Sequence, residues 1–216
     1  MCVENETRAK REREGRQENM AGKSERTREK ILESAYALFA KRGFKQVTMK
    51  DVCEATGMSR GGLYSHFSGT DLLFEAVLEK IAEKEAMDFY AEIEKGTPAT
   101  DILEGALALM EDEMEHPEES LSLAMTEYAE TVDSVAMVKF YRNWEKKWTS
   151  LVRYGIGRGE FCDVEVNEIV NMILFSYQGV RAWSRIIPLE TPTFRAITEH
   201  IRKQLYKRSD ARGTFE

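Results

Sequence analysis

Apolar residues recur at spacings of three and four along most of the chain, which is the pattern of amphipathic α-helices. No segment shows the alternation of apolar and polar residues between hairpin turns that is typical of strands. All four prolines, Pro98, Pro117, Pro188 and Pro192, lie between periodic segments or in their first turn, where a missing N–H costs least. The pattern therefore predicts an all-α protein of about nine helices.

The periodic segments divide the chain into three parts. Residues 1–22 are highly charged and contain no Ile, Leu or aromatic residue, which predicts a disordered arm. Residues 23–70 contain three helical segments and predict a small N-terminal domain. Residues 71–216 predict a larger helical domain, with segments at 71–95, 101–115, 118–130, 134–156, 165–187 and 193–208.

Charge is distributed unevenly between these parts. The formal net charge of the chain is −7, but residues 1–70 carry +4 and the remainder carries −11. A basic N-terminal third on an acidic body favours a nucleic-acid partner for the first part.

The cysteines and the hydropathy exclude several classes of protein. Cys2, Cys53 and Cys162 lie far apart without Cys-x-x-Cys spacing, which argues against a disulfide framework and against a metal site. No apolar run approaches the roughly 18 residues of a membrane span, and the N-terminal residues are too charged for the core of a signal peptide. We therefore expect a cytoplasmic protein with no membrane partner.

Residues 47–67 have the plan of a short helix, a glycine turn and a second short helix. Thr48 followed by Asp51 resembles a capping box, Gly57 supplies the turn and Ser59 opens the second helix. This is the plan of a helix-turn-helix, whose second helix lies in the major groove of DNA. Its core is expected to consist of Val47, Val52, Ala55, Met58, Leu63 and Phe67.

The second short helix is rich in hydrogen-bond donors. Arg60 can bind guanine O6 and N7 or a phosphate, and Tyr64 and His66 can bind phosphates. Gly61 and Gly62 would ordinarily mark a loop, since glycine costs about 1 kcal/mol relative to alanine in a helix, and close approach to DNA is the competing explanation. The predicted DNA-binding residues are Thr48, Lys50, Ser59, Arg60, Gly61, Gly62, Tyr64, His66 and Thr70.

The stretch VTMKDVCEATGMSRGGLYSHF, residues 47–67, with REKILESAYALFAKRGF, residues 28–44, resembles the TetR family of one-component transcriptional regulators. The chain departs from that family where Thr70 replaces the usual phosphate-directed lysine, which predicts a smaller salt dependence of DNA binding. It also departs at Gly62, where Thr or Ser is common. The resemblance implies a ligand cavity in the second domain and a four-helix dimer interface formed by the final pair of helices.

An aromatic stripe in segment 134–156 coincides with methionines on neighbouring segments, and methionine suits irregular apolar ligands. Such a stripe is more often ordinary core than a binding site, and both interpretations stay open. The candidate ligand-binding residues are Met110, Met114, Met125, Tyr128, Phe140, Tyr141, Trp144, Trp148, Phe175 and Gln178. The candidate dimer-interface residues are Gly179, Trp183, Phe194, Ile197, Ile201 and Leu205.

The sequence thus predicts a homodimeric repressor that a small apolar or amphipathic ligand releases from double-stranded operator DNA, with no cofactor. The helix predicted at residues 71–95 would carry the motion between the two domains. One alternative is a constitutive DNA-binding protein, which would have a filled core and no effector. A helical enzyme has little support, because the three histidines are scattered and neither a phosphate loop nor a nucleophile beside a base is present.

Overall fold

The computed structural model describes residues 2–83 and 88–206, with residues 2–21 and Glu83 described by their backbone alone. Its described residues form ten α-helices, a 3₁₀ turn at Pro117–Glu119 and, apart from an isolated bridge between Phe161 and Tyr206, no strand, which confirms the all-α prediction. The helices are α1 (Cys2–Arg42), α2 (Met49–Thr56), α3 (Arg60–Tyr64), α4 (Thr70–Glu83), α5 (Phe89–Lys95), α6 (Ala99–Glu115), α7 (Ser122–Thr131), α8 (Ser134–Gly157), α9 (Val166–Trp183) and α10 (Thr191–Leu205). Across these residues no helix is both long and apolar enough to cross a membrane.

The predicted disordered arm is instead the first half of α1, a continuous helix of 41 residues. The arm has no proline, and its sequence places acidic and basic residues four positions apart, as at Glu4 and Arg8 or Glu12 and Arg16. That spacing and the abundance of Glu, Lys, Arg and Gln favour a helix without any buried face. Low apolar content alone therefore did not decide between coil and helix in this segment.

The chain divides into two compact units. The first comprises residues up to Arg42 together with Gln46–Glu83, and the second comprises Gly43–Lys45 and the residues from Lys84 onward. The domain boundary predicted at residue 70 therefore falls at Glu83, because α4 packs within the first unit. Phe39 of α1 and Phe74 of α4 are both fully buried, and their ring centroids lie 4.9 Å apart in an edge-to-face contact.

The single helix predicted at residues 71–95 is two helices. α4 ends at Glu83, and α5 begins after Asp88, whose carboxylate accepts hydrogen bonds from the backbone N–H groups of Tyr90 and Ala91 at 3.0 and 3.3 Å. A capping aspartate satisfies N–H groups that a continuous helix would pair with carbonyls. The separate α5 accounts for the difference between nine predicted and ten observed helices.

The core of the second unit is formed by α5, α6, α8, α9 and α10. It includes Met114, Leu151 and Ile173, all fully buried. Phe161, in the turn after α8, packs directly on Gly155, where an added Cβ would lie 2.2 Å from its ring. Glu160 of the same turn accepts the backbone N–H groups of Ala99 and Thr100, and so caps α6, whose own N-cap Pro98 makes no side-chain bond.

Residues Gly43–Lys45 are held within the second unit by α7. The rings of Phe44 and Tyr128 meet edge to face at 5.1 Å, and the backbone N–H of Lys45 donates to Glu127 Oε2 at 2.9 Å. Gly43 has a φ of +78°, and a Cβ there would lie 2.5 Å from the same Glu127 oxygen. Backbone conformation and a close side chain therefore both require glycine at this position.

The first turn of α2 is fixed by the predicted capping box. The Thr48 side chain accepts from the Asp51 N–H, and the Asp51 carboxylate accepts from the Thr48 N–H at 2.9 Å and from Arg42 Nη1 at 2.8 Å. The Thr48 hydroxyl, the Thr48 N–H and the Arg42 guanidinium lower the pKa of Asp51 to about 2, in that order of importance.

Gly43→Ala is expected to destabilise the protein more than Gly57→Ala, the matched control. Both glycines have a positive φ, but no described atom lies within 4 Å of an added Cβ at Gly57. The left-handed conformation costs alanine about 1–2 kcal/mol at either site, and Gly43→Ala adds a clash with the Glu127 carboxylate. Denaturant unfolding measures both losses, and equal losses would contradict the role given to Glu127.

The stability difference between the wild type and Asp51→Asn is expected to depend on pH. A carboxyl whose pKa falls to about 2 on folding contributes stability above its ordinary pKa of 3.8 and loses that contribution as the pH falls towards 2. The difference should therefore be largest above about pH 4 and shrink towards pH 2. Denaturant unfolding across this range is the measurement, with Glu54→Gln in the same helix as control; a difference independent of pH would refute the prediction.

Candidate nucleic-acid interface

The turn between α2 and α3 follows from two local caps. Gly57 adopts a left-handed conformation with a φ of 70°, and its N–H donates to the carbonyl of Cys53 at the end of α2. Ser59 then opens α3, and its hydroxyl accepts the N–H of Gly62 at 3.2 Å. Val52 and Leu63 are fully buried between the two short helices. These features have the geometry of the predicted helix-turn-helix.

One member of the predicted motif core is misplaced. Ala55 is exposed, whereas Thr56 is buried and its hydroxyl donates to the carbonyl of Val52 at 2.7 Å. Lys30 of α1 also donates to the Thr56 carbonyl, at 3.2 Å. The buried face of α2 runs through Met49, Val52 and Thr56, and a threonine can lie there because the helix satisfies its hydroxyl.

The exposed face of α3 carries a paired arginine and tyrosine. The Arg60 guanidinium carbon lies 5.5 Å from the centroid of the Tyr64 ring, one helical turn away. Both side chains are exposed, and so is Gly61 beside them, while Leu63 anchors the opposite face. A guanidinium stacked on an aromatic ring keeps its N–H donors in a preferred orientation. This face can donate to phosphates or to base edges.

The other predicted DNA-binding residues surround this face with different exposures. Lys50 is exposed, with its ammonium 3.7 Å from Glu54. Thr48 and Ser59 are exposed, but their hydroxyls are engaged in the caps of α2 and α3, so their first role is to position the helices. The remaining three are half-buried: Gly62, His66 and Thr70.

Sequence reasoning missed two contacts that brace the motif. Arg42 binds Asp51 at 2.8 Å, and the Arg28 guanidinium lies 4.7 Å from the centroid of the buried Phe67 ring. Both arginines belong to α1, and their partners lie outside that helix. No spacing along one helix could reveal them, because contacts between separate elements leave no periodic signal. In the sequence, only the abundance of basic residues in the segment that forms α1 indicated that this segment could make such contacts.

The candidate ligand-binding residues fall into several environments. Met110, Met114 and Trp148 belong to the core of the second unit, where the Trp148 ring meets Phe89 at 5.2 Å. Tyr128 is fully buried against Phe44. Three others, Met125, Phe140 and Gln178, are half-buried, and Phe140 lies 6.3 Å from Trp144. Their common role in ligand binding stays a prediction.

Tyr141 and Trp144 are the aromatic candidates that lie at the edge of the core, partly buried against it. The Tyr141 hydroxyl donates to Asn171 Oδ1 at 2.9 Å, and burial raises the pKa of this phenol. Phe175 is 65% exposed, and its ring lies 5.8 Å from that of Tyr141. Phe175 is therefore largely uncovered by the residues that the structure describes, and its candidate role in ligand binding stays a prediction.

The candidate dimer residues also separate into two groups. Phe194, Ile201 and Leu205 of α10 are buried in the chain's own core, with Ile197 packed against it. Within one chain these four therefore contribute to its own core, because the apolar face of α10 meets α6 and α9, and their role at a dimer interface stays a prediction. Gly179 and Trp183 of α9 are more accessible, since Trp183 is 57% exposed and, among the described residues, no atom outside the helix lies within 4 Å of a Cβ built on Gly179.

Comparisons with known proteins point to one family. A family model described as bacterial regulatory proteins of the tetR family matches residues 31–77, which include α2 and α3. The HTH-type transcriptional regulator YfiR of Bacillus subtilis is 49% identical over 49 residues, 23% of this chain and 24% of that protein. The HTH-type transcriptional repressor KstR2 of Mycolicibacterium smegmatis is 25% identical over 151 residues, 68% of this chain and 73% of that protein.

The matched part of the chain spans about a quarter of the first relative and almost three quarters of the second. A solved TetR-family transcriptional regulator from Agrobacterium tumefaciens has the same fold, with a TM-score of 0.73 and 15% identity, over 85% of this chain and 100% of that one. Residues 31–77 thus match the DNA-binding domain of the tetR family of bacterial regulatory proteins, and the likeness to a repressor over 68% of the chain and the shared fold extend the similarity to this family beyond that domain.

Proposed function

We propose that this chain is a homodimeric, DNA-binding transcriptional repressor that works in the cytoplasm and is released from its operator by a small ligand. The observation that carries the proposal is the capped helix-turn-helix, which presents Arg60 and Tyr64 to solvent on α3. Its relatives are transcriptional regulators, and one of them is named a repressor. The net charge of +4 over residues 1–70 favours the same partner.

DNA recognition divides between the side chains by their chemistry. The guanidinium of Arg60 can pair with O6 and N7 of guanine, which discriminates one base pair from the others. The ammonium of Lys50, exposed on α2, suits a phosphate and adds affinity without sequence preference. The caps at Thr48 and Ser59 hold the two helices at a fixed angle, so both contacts form together.

A homodimer fits the two-fold symmetry of operators, whose half-sites lie one helical turn of about 34–36 Å apart. The second unit offers a face for a second copy: Phe175, Gly179 and Trp183 follow one side of α9, and Ile186 continues it beyond the helix, 73% exposed. Exposed apolar side chains in one stripe are typical of a protein interface. We therefore assign Phe175 to the dimer face rather than to the ligand site.

The small ligand is proposed to act through the second unit. Tyr141 and Trp144 sit where an apolar or amphipathic molecule could meet both the core and solvent. A ligand that binds one conformation of this unit better than another shifts the population towards it. Since α4 ends at Glu83, the proposed motion is not that of one rigid helix from residue 71 to 95.

Arg60→Ala is expected to weaken binding to the operator by about 1–3 kcal/mol and to relax the preference at one base pair. The operator is first obtained by selecting bound duplexes from random-sequence DNA with the wild-type chain at fixed salt. Binding of both proteins to that duplex is then compared, with the exposed Arg195 of α10 changed to alanine as control. Enrichment of no sequence by folded wild-type protein would overturn the proposal, and an unaffected Arg60→Ala would remove this residue from the interface.

Phe175→Glu combined with Trp183→Glu is expected to convert the dimer into monomers, because four buried carboxylates would face each other across the two-fold axis. Sedimentation equilibrium measures the change. Val135→Glu on α8 is the matched control, since Val135 is 73% exposed and lies outside the proposed face. A double variant that remains dimeric would place the interface elsewhere.

A further inference from the structure

Two adjacent glycines occupy the middle of α3, a helix of five residues. Each glycine costs up to about 1 kcal/mol relative to alanine in a helix, because it loses more backbone freedom on folding. Neither Gly61 nor Gly62 has a positive φ. The backbone conformation therefore gives no reason for glycine at either position, and only the space around each one can give it.

The space around the two glycines differs. A Cβ built on Gly62 would lie 3.3 Å from Ser59 Oγ and 3.5 Å from Met58 Cε, which is tight packing against the cap of α3. No atom of the described residues lies within 4 Å of a Cβ built on Gly61. Gly62 is thus constrained by the protein itself, whereas Gly61 faces open space on the exposed side of the helix.

The residues around Gly61 show which surface of α3 this open space belongs to. Arg60 precedes it, Tyr64 lies one turn later, and Ser65, whose N–H donates to the Gly61 carbonyl, is also exposed. Gly61 therefore leaves a gap between the side chains of Arg60 and Tyr64. At this gap the backbone itself forms the molecular surface. A duplex that receives the Arg60 side chain in its major groove would approach this backbone within van der Waals distance.

We infer that Gly61 is the point of closest approach between α3 and operator DNA, and that it is glycine because a side chain there would hold the helix out of the major groove. This inference rests on the proposed function. Gly61 acts by the absence of a side chain: it lets Arg60 and Tyr64 reach their partners at hydrogen-bonding distance, and so it determines affinity without donating a bond from a side chain.

Gly61→Ala is expected to have opposite effects on stability and on DNA affinity, and these two effects test the role of Gly61. Gly61→Ala should leave the melting temperature unchanged or raise it by up to about 4 °C, because alanine favours the helix and meets no obstacle within the chain. The same variant should lose about tenfold or more in affinity for the duplex that the wild-type chain selects from random-sequence DNA, and Gly61→Ser should lose at least as much. A loss of tenfold corresponds to about 1.4 kcal/mol, the scale of one base contact.

Gly157→Ala is the matched control. Gly157 is exposed at the end of α8, has no positive φ and has open space around its Cβ, so its change should not alter DNA binding. Gly61→Ala with affinity within twofold of the wild type would overturn the inference while leaving the proposed function intact. A lower melting temperature of Gly61→Ala would show that the fold requires the glycine, and wild-type protein that selects no DNA would remove the function and this inference together.

Discussion

Helix α3, the second helix of the helix-turn-helix, has five residues. The proposed DNA-facing surface depends on the contacts that hold so short a helix in place. Isolated helices shorter than about 12–15 residues are marginal in water, since nucleation costs more than a few hydrogen bonds return. Here the left-handed turn at Gly57 sets the direction of the chain, the Ser59 hydroxyl accepts the N–H of Gly62, and buried Leu63 fixes the rotation. The rotation leaves Arg60 and Tyr64 outward because residues one turn apart share a face.

The longer helices α1 and α4 support the short helices α2 and α3. α1 and α4 bury Phe39 against Phe74, and α1 also reaches the motif through Lys30, which binds the Thr56 carbonyl, and Arg42, which binds Asp51. The charged contacts lie mostly at the surface and each contributes little. The contacts of Lys30 and Arg42 are made near the two ends of α2. The angle between α2 and α3 is therefore set by the local caps together with these contacts from α1.

In the second unit, two neighbouring helices, α9 and α10, differ in where their apolar side chains lie. α10 turns Phe194, Ile201 and Leu205 inward, whereas α9 has core residues on one side and exposed Phe175 and Trp183 on the other. An apolar stripe in water is costly, and a second copy of the same face is the partner that a two-fold DNA reader would provide. Tyr141 of α8 packs against the core and lies 5.8 Å from the Phe175 ring, which connects the proposed effector site to the proposed interface.

Features that depend on a few neighbouring residues were predictable from the order of the amino acids. The helical class, the box of Thr48 and Asp51 and the turn at Gly57 were all predicted, because caps and turns are local in energy. Local information was less decisive where two outcomes had similar energies, as in the arm that became helix and in the predicted long helix that Asp88 interrupts. The family resemblance added the DNA-binding role to these local features.

Which apolar residues are interior depends on how the separate helices pack. Phe175 and Phe194 both occupy amphipathic helices, yet the first is exposed and the second buried, because burial depends on which faces of separate helices meet. The same reason placed Thr56 rather than Ala55 in the motif core and revealed the open space at Gly61. Helical periodicity specifies that a face exists, and only the packing of the whole chain decides what that face touches.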